Sequence, residues 1–555
     1  MVLTVRFKDD DGWLEFSRPR AVLRASSRAQ ALAILDEADE RRREGAWIAG
    51  LVCYEWAGSV IGIFDEPRRR RSFEPGPWSL SPLLPRVDQR RYHDDIAAIK
   101  RAIYDGDVYQ VNYTTSFDLA FDGDAHALWH DVAASTQAAY QAMLVDGDRA
   151  ILSWSPELFL RFDGRRLSAR PMKGTATLDD THALRTEKNQ AEHVMIVDLL
   201  RNDLRRVCDG VTVRALRTVE RYPTFATMTS TIEGTLREGI TLGAIFDAAF
   251  PCGSITGAPK VAAMQAIERT ERRAREAYCG SIGFLAPERT GWWNVAIRTA
   301  QFDGNVGRFD AGGGIVSDSD ADDEWNEIAI KSSFLTPAAG AFALWETYGG
   351  DADDETVDAH ARRLFESWSR LGGPLAFEDL SKRMRAARKP GMLVRTRAPL
   401  GARQPLEFAY EPLAAAAQPV AICISSQRVA STDPWLRIKS SWRPAHRRAW
   451  NEAVARGCFD ALLQNEADAL TEGSRTNLFV ELDGTLYTPP VASGLLPGIL
   501  RSRLLACGQA REREIHAGDL TRASALYIGN SARGLLRARL HNEESWEAIR
   551  PSIRS

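Results

Sequence analysis

The stretch SARPMKGTATLDD, residues 168–180, holds a single lysine, Lys173, between a proline and a Gly-Thr pair. The chain has nine lysines against sixty-two arginines, which together make the 71 basic residues. Where only positive charge is wanted, it uses arginine. An arginine keeps its proton in a protein, whereas a lysine amine can become a neutral base or nucleophile. Lysines kept in unusual local sequence are therefore candidates for chemistry. Lys173 is one and Lys439, in RIKSSWR, is another; beyond residue 342 its only companions are Lys382 and Lys389, both in the polar SKRMRAARKP. Carboxylates form a second set. Glu192 lies in the helical pattern THALRTEKNQAEHVMIVDLLRNDLRRV, and Glu324 and Glu327 are three apart, hence on one helix face. Carboxylates from two elements that leave room for substrate and water suit Mg²⁺, which rarely receives a full protein cage. Arg298, inside the apolar run WNVAIRTAQF, needs an anionic partner. The loop GSITGAPK, just before a helix, offers backbone N–H groups and a positive helix end to a carboxylate. Taken singly, each glutamate also reads as a solvated helix face, and Lys173 as half of an ion pair.

The elements that must position these groups follow from periodicity. A helical pattern over Tyr92–Ala102 leads into a turn and a strand at DGDVYQVNYTTSFDLAF. Residues 181–207 form an amphipathic helix with Val194, Ile196, Val197, Leu199 and Leu200 on its buried side. A second helix starts after GSITGAPK, strands alternate with glycine turns through GRFDAGGGIV, and a last helix runs from about Asp322 to Phe334. Small residues and a proline then mark a linker at 337–342, between a first domain at 1–336 and a second at 343–555. The motif vocabulary changes there and no internal repeat is present.

The totals exclude several classes. A length of 555 residues supports two to four domains, and 44% hydrophobic with 26% charged residues is the composition of a globular protein. A net charge of -3 gives no general pull toward nucleic acid or anionic membrane. The one dense basic block, PRRRRSFEPGPW, is flanked by prolines and reads as a solvated loop. Seven cysteines are scattered singly, without a CxxC pair, so neither a disulfide framework nor a thiolate zinc site is indicated. The charged N-terminal stretch lacks the apolar core of a signal peptide, and no apolar run approaches the ~20 residues that span a bilayer. The cytosol is the expected compartment.

In the first part, PMKGT, EKNQAEHVMIVDLLRNDL, FPCGSITGAPKVAAMQAIE, NVAIRT and AGGGIVSDSDADDEWNEIAIKS occur in the order of the chorismate-utilising family, which this segment resembles over residues 95–335. The resemblance implies an α+β fold like that of anthranilate synthase component I. It also implies Mg²⁺ held by Glu192, Glu324 and Glu327, and chorismate carboxylates held by Ser254, Tyr278, Arg298, Gly312 and Gly314, with Lys260 and Lys331 adding charge. Lysine at position 173 is the family's mark of aminodeoxychorismate synthase component I, where anthranilate synthases have alanine; isochorismate-type members also keep it. Lys173 would attack the ring at C2 and expel the C4 hydroxyl, with Glu157 as general acid or base, before ammonia enters at C4. No cysteine lies in a glutaminase nucleophile setting, so a separate glutamine amidotransferase subunit is the expected ammonia source. One departure is Thr227, where many relatives have histidine.

Beyond Ala343, LWETYGG, HARRLFESW, RIKSSWR, ALTEGSRTNLFV, SGLLPGILRSRLL and YIGNSARGLL resemble the fold-type IV pyridoxal-phosphate family, which includes aminodeoxychorismate lyase. The implied fold is a two-part α/β domain that commonly forms a homodimer. Lys439 is the implied cofactor amine and proton carrier, Glu472 the partner of the pyridine nitrogen, and Thr347 a hydroxyl near the reactive side. Arg363, Ser531 and the amides of Ile499 and Leu500 would hold the phosphate of pyridoxal 5'-phosphate. Trp442 replaces a family asparagine, and Leu500 replaces a threonine. The two parts together imply amination of chorismate at C4, followed by elimination of pyruvate to give 4-aminobenzoate for folate. The alternatives are an isochorismate or anthranilate synthase in the first part, and an aminotransferase or a non-catalytic dimerisation module in the second.

Overall fold

The computed structural model describes residues 3–9, 12–71, 76–136, 138–176, 184, 187–221, 226–335, 342–373, 375–400 and 406–541. The chain divides into two compact units, Met1–Ala339 and Gly340–Ser555. The expected linker lies outside the described residues except for Phe342.

Among its described residues the first unit contains an eleven-stranded and a ten-stranded sheet. Strand Leu3–Asp9 shows why they pack face to face. Leu3, Val5 and Phe7 alternate with partly exposed Thr4 and Arg6, and each of the three is 0% exposed. Phe7 belongs to the larger sheet and meets Phe284 and Trp292 of the other at ring separations of 4.9 and 5.2 Å. Helices cover the outer faces. Arg28–Arg43, Glu187–Arg205 and Leu242–Ala249 pack on the ten-stranded sheet. Gln89–Tyr104, Ala125–Thr136, Lys260–Glu271 and Ala321–Ser332 pack on the eleven-stranded one. The α+β expectation, strands under helices, is borne out.

The helix Glu187–Arg205 corrects one detail of the periodicity. Its buried side is Ile196, Val197, Leu200 and Leu204, whereas Val194 is 44% exposed. At 100° per residue, Val194 sits roughly 105° from the centre of the stripe formed by Ile196, Val197, Leu200 and Leu204, so it falls on the helix flank and reaches solvent. Residues 181–183 and 185–186 of the expected longer helix lie outside the described residues.

Strand Gln110–Gly123 pairs with Val306–Ile315, setting Gly312, Gly313 and Gly314 opposite Thr114, Tyr113 and Asn112. The strand is locked from one side by Glu271, at the end of helix Lys260–Glu271. Its Oε1 accepts from the backbone N and Oγ1 of Thr114 at 2.9 and 2.8 Å and from Arg275 Nη2 at 2.6 Å. Arg275 is fully buried and donates onward to Ile255 O and Asn112 O at 2.8 and 2.7 Å. One buried ion pair thus ties a helix end, the long strand Gln110–Gly123 and the turn at 252–256.

The second unit, among its described residues, has a three-stranded and a nine-stranded sheet. Ala343–Gly349, Met392–Pro399 and Glu407–Pro412 form the smaller one, with helices Asp354–Arg370 and Phe377–Ala386 beside it. In the larger sheet Val420–Val429 runs parallel to Asp460–Asn465 and Gly534–Leu540, and helix Pro444–Ala455 packs on it. The segment that carries Lys439 joins the two, since Trp345 N donates to Lys439 O at 2.9 Å and Ser441 N to Ala343 O at 2.8 Å.

Replacing Arg275 by methionine leaves buried Glu271 with only the more distant Arg273, at 3.5 Å, as a cation and should lower stability by up to about 3–5 kcal/mol. Thermal unfolding checks this, and adding Glu271→Gln to the same chain should recover part of the loss.

Candidate functional site

A cavity of about 620 Å³ opens in the first unit, and most of the residues singled out above line it. Lys173 reaches it from strand Met172–Ala176, which pairs with Ala226–Leu236. Thr227, at the position of the family histidine, donates its hydroxyl to Gly174 O at 2.7 Å and so pins the backbone beside Lys173. The glycine run explains how the lysine fits. A Cβ on Gly314 would stand 3.1 Å from Lys173 Nζ and 2.2 Å from Gln110 Nε2, so a side chain there would fill the space in front of the amine.

Glu157 lies across the cavity and is 3% exposed. Burial pushes its carboxyl up to about 7, against the opposing effects of Ser254 and Lys173. Ser254 Oγ donates to Glu157 Oε1 at 2.7 Å. Tyr278 and Arg298 line the same space, and both adjoin unusual backbone. Cys279, next to Tyr278, and Arg298 itself hold left-handed conformations (φ 62 and 50) that non-glycine residues adopt only when their surroundings impose them.

Glu192, Glu324, Glu327 and Lys331 complete the lining. A Cβ on Gly313 would lie 3.0 Å from Glu324 Oε2 and 3.8 Å from Glu327 Oε2, so that glycine leaves a hollow in front of two carboxylates. Ser319 Oγ donates to Glu324 at 2.7 Å, while Lys331 Nζ pairs with Glu327 at 2.9 Å and donates to Gly312 O at 2.7 Å. Glu192 is reached by Gln110 Nε2 at 3.4 Å, a partner the sequence reading missed. Among the described residues no three acidic, histidine or cysteine side chains lie close enough to hold an ion by themselves. The donor set fits a hard cation that takes the rest of its shell from substrate and water.

Lys260 departs from expectation. Its amine donates to Asp203 Oδ2 at 2.6 Å and Ala249 O at 3.1 Å, and it does not line the cavity. As the first residue of its helix, it points across to helix Glu187–Arg205, so its charge is neutralised by that helix and does not add to the substrate site.

In the second unit Lys439 is half-buried. Burial first, then the charges of Arg363 and Arg443, lower its pKa to about 8 against the opposing pull of Glu346 and Glu472. Glu472 is 4% exposed, and its Oε1 accepts from Arg443 Nη2 at 2.7 Å, His446 Nε2 at 2.9 Å and Leu496 N at 3.1 Å. Burial would raise this carboxyl, but Arg443 and His446 hold it below its ordinary value, so it is an anion. His446 is pushed down to about 4 by burial and then by Arg443, so it is neutral. Its Nε2 lies 2.9 Å from Glu472 Oε1 and 2.8 Å from Arg443 Nη2. Because the carboxylate only accepts, Nε2 carries the ring hydrogen and donates it as a hydrogen bond to Glu472. Trp442 packs against Trp435 at 6.4 Å, and the next residue, Arg443, is the one that reaches Glu472.

Arg363 donates Nε and Nη2 to the two oxygens of Glu346 at 2.8 and 2.7 Å, and Nη1 to Pro497 O at 3.0 Å. His360 links Glu346 to Ser531. Ile499 and Leu500 begin helix Ile499–Ala506, where N–H groups have no partner within the helix. Leu500 turns its side chain into the cluster of Phe479 and Leu504, so only its amide is available. Thr347 lies on the face of its strand opposite to Glu346, and it is Glu346 that meets the arginine and histidine. Glu346 and His360 were missed, although one signal was present. His360 and Arg363 are three apart on one helix face, and an acid in the strand ALWETYG required a buried cation.

Residues 7–337 match the family model for chorismate binding enzymes, and residues 355–540 match that for class IV amino-transferases. The chain is 37% identical over 251 residues to aminodeoxychorismate synthase component 1 of Salmonella typhimurium, covering 43% of this chain and 55% of that protein. It is 34% identical over 366 residues to aminodeoxychorismate synthase of Streptomyces griseus, covering 64% and 50%. The chain thus spans about half the length of these curated relatives. The menaquinone-specific isochorismate synthase of Escherichia coli shares the fold, with a TM-score of 0.52 at 21% identity, over 61% of this chain and 88% of that one. With its match over more than half of its length, the chain belongs to the family of chorismate binding enzymes, and it carries a class IV amino-transferase segment behind that domain.

Proposed function

We propose that the first unit aminates chorismate at C4 to 4-amino-4-deoxychorismate, and that the second eliminates pyruvate from that product to leave 4-aminobenzoate. The observation that carries the reading is Lys173 in one cavity with Glu157, two carboxylates over Gly313, and Arg298. The Lys173 amine attacks C2 as the C4 hydroxyl leaves. Glu157, with a carboxyl at about 7, holds a proton to give the departing oxygen, which leaves as water. Ammonia then adds at C4 and the lysine amine is released. Arg298 and Tyr278 hold substrate carboxylates, and Glu192, Glu324 and Glu327 would hold Mg²⁺, which neutralises charge on the substrate. The ammonia comes from a separate glutamine amidotransferase, consistent with a relative named as a component 1.

In the second unit pyridoxal 5'-phosphate would supply an electron sink for the carbon that bears the substrate amine. Lys439, with a pKa near 8, can both gain and lose a proton close to neutrality and is placed to move the substrate proton. Anionic Glu472 would keep the pyridine nitrogen protonated. Arg363, Ser531 and the amides of Ile499 and Leu500 would hold the phosphate, and two copies would pair through this unit. No helix among the described residues is long and apolar enough to cross a membrane, and a cytosolic enzyme of folate synthesis is the setting proposed.

The decisive assay is product analysis of the purified chain with chorismate, ammonium, Mg²⁺ and pyridoxal phosphate. Equal amounts of 4-aminobenzoate and pyruvate are expected, whereas anthranilate or isochorismate would overturn the reading of Lys173. In the same assay Lys173→Ala should abolish amination at C4, and Lys173→Arg should not restore it, because the guanidinium cannot attack. Lys439→Ala should stop pyruvate release and let aminodeoxychorismate accumulate, with consumption of chorismate unchanged.

Glu157 predicts a pH signature. Its folded pKa, about 7, lies above the ordinary carboxyl value, so between the two the folded chain holds the extra proton and loses stability as pH rises through that window. The rate of a step that needs this proton falls above pH 7 in parallel. Glu157→Gln should remove the stability decline while lowering amination by about 10²–10⁴-fold. Denaturation and rate profiles from pH 5 to 8 check both.

A further inference from the structure

A chain of three groups, two of them buried and the third half-buried, stands at the expected phosphate corner of the second unit. Glu346 Oε2 lies 2.6 Å from His360 Nδ1, and His360 Nε2 lies 2.7 Å from Ser531 Oγ. Glu346 and His360 are each 1% exposed. The groups that face the imidazole are Glu346 and Tyr348 from strand Ala343–Gly349, Arg363 from its own helix, Ser531, and the charge of Lys439.

The proton positions follow from what each atom can do. Glu346 takes two hydrogen bonds from Arg363, which keeps it ionised, with a pKa of about 2, and an ionised carboxylate only accepts. Nδ1 of His360 must therefore carry a hydrogen. Burial lowers the pKa of the ring more than Glu346 raises it, and Arg363 and Lys439 add to the lowering, so the neutral form is favoured, and in that form Nε2 is a bare acceptor. Ser531 then gives its one hydrogen to Nε2 and turns only lone pairs outward. That is the wrong polarity for a phosphate dianion, whose oxygens also only accept.

Three rearrangements could free the serine hydrogen. Ser531 could turn away and leave Nε2 as an unpaired buried acceptor. The ring could move its hydrogen to Nε2 and set a lone pair on Nδ1 against the Glu346 carboxylate. Or the ring could take up a second proton, after which Nδ1 donates to Glu346, Nε2 donates to Ser531 and the serine donates to the phosphate. Only the third leaves every buried group paired. It also supplies charge, since Glu346 already neutralises Arg363.

We propose that binding of a phosphate dianion at Arg363 and Ser531 is coupled to uptake of one proton by His360, through the Glu346–His360–Ser531 chain. The inference rests on the reading of the second unit as a pyridoxal-phosphate enzyme and names how that site would recognise the phosphate. His360 and Glu346 act as positioning residues. They would make the site select phosphorylated over unphosphorylated pyridine ligands.

Titration calorimetry of the full chain at pH 7, in buffers of different ionisation enthalpy, tests this. The probes are pyridoxamine 5'-phosphate, which has no aldehyde to react with Lys439, and pyridoxamine. Uptake of about one proton per site is expected with the first and none with the second. The affinity for the phosphorylated probe should fall about tenfold per pH unit above 7, as one-proton linkage requires. His360→Gln should abolish both the uptake and the slope and weaken the phosphorylated probe about tenfold or more, leaving pyridoxamine unchanged. No uptake by the unaltered chain, or uptake that persists in His360→Gln and so belongs to Lys439, would overturn the proposal. Should that variant not fold, Lys439→Ala decides it: uptake that persists there supports His360, and uptake that vanishes belongs to Lys439 and overturns the proposal. If neither probe binds and pyridoxal phosphate gives no Lys439-dependent absorbance, the cofactor reading falls first and the proton chain with it.

Discussion

The first unit depends on the carboxylate of Glu271. It is 0% exposed on its side chain, and a charge so deep in protein persists only if every lone pair finds a donor. Thr114 and Arg275 supply those donors, with Arg273 adding charge at 3.5 Å, and Arg275 passes the constraint on to the carbonyls of Ile255 and Asn112. The strand opposite the glycine run and the turn that carries Ser254 are therefore held by one buried knot. A buried ion pair is weak evidence for net stability. Its consequence here is geometric, because moving any one partner would strand a charge.

The cavity built on that frame is shaped as much by what is missing as by what is present. Gly312, Gly313 and Gly314 are three consecutive residues of a sheet strand, where alternation would send side chains to both faces. At Gly313 an added Cβ would crowd Glu324, and at Gly314 it would crowd Gln110 and Lys173. The sheet thus gives up side-chain packing so that an amine and carboxylates from separate elements can converge. Glu157 stays protonatable near neutrality because Ser254 and Lys173 only partly offset its burial.

The second unit solves a related problem with opposite signs. Lys439 lies half-buried between two cation–anion pairs, Arg363 with Glu346 and Arg443 with Glu472, so its surroundings carry little net charge. Desolvation then dominates and brings the amine into the range where it exchanges protons. The hydrogen-bond partners of Glu472 and Glu346 include one neutral histidine each, which adds a donor without adding charge.

Much of this was legible in the chain. The scarcity of lysine marked Lys173 and Lys439, the spacing of Glu324 and Glu327 set them on one helix face, and the periodicities located four helices of the first unit and the strands around its site. What one dimension could not carry was the destination of long side chains. Lys260 sits in a motif beside the site, yet its helix aims it at Asp203. Val194 fits an apolar count but faces outward. Glu346, His360 and Gln110 gave weak signals because each acquires its role from a partner far away in sequence. The sequence by itself determined which chemical groups are available and which secondary elements bear them, because residue type and periodicity are local properties. Only the tertiary structure decided which charges are paired with each other and which face the cavities, because pairing depends on distance in space and burial sets its strength.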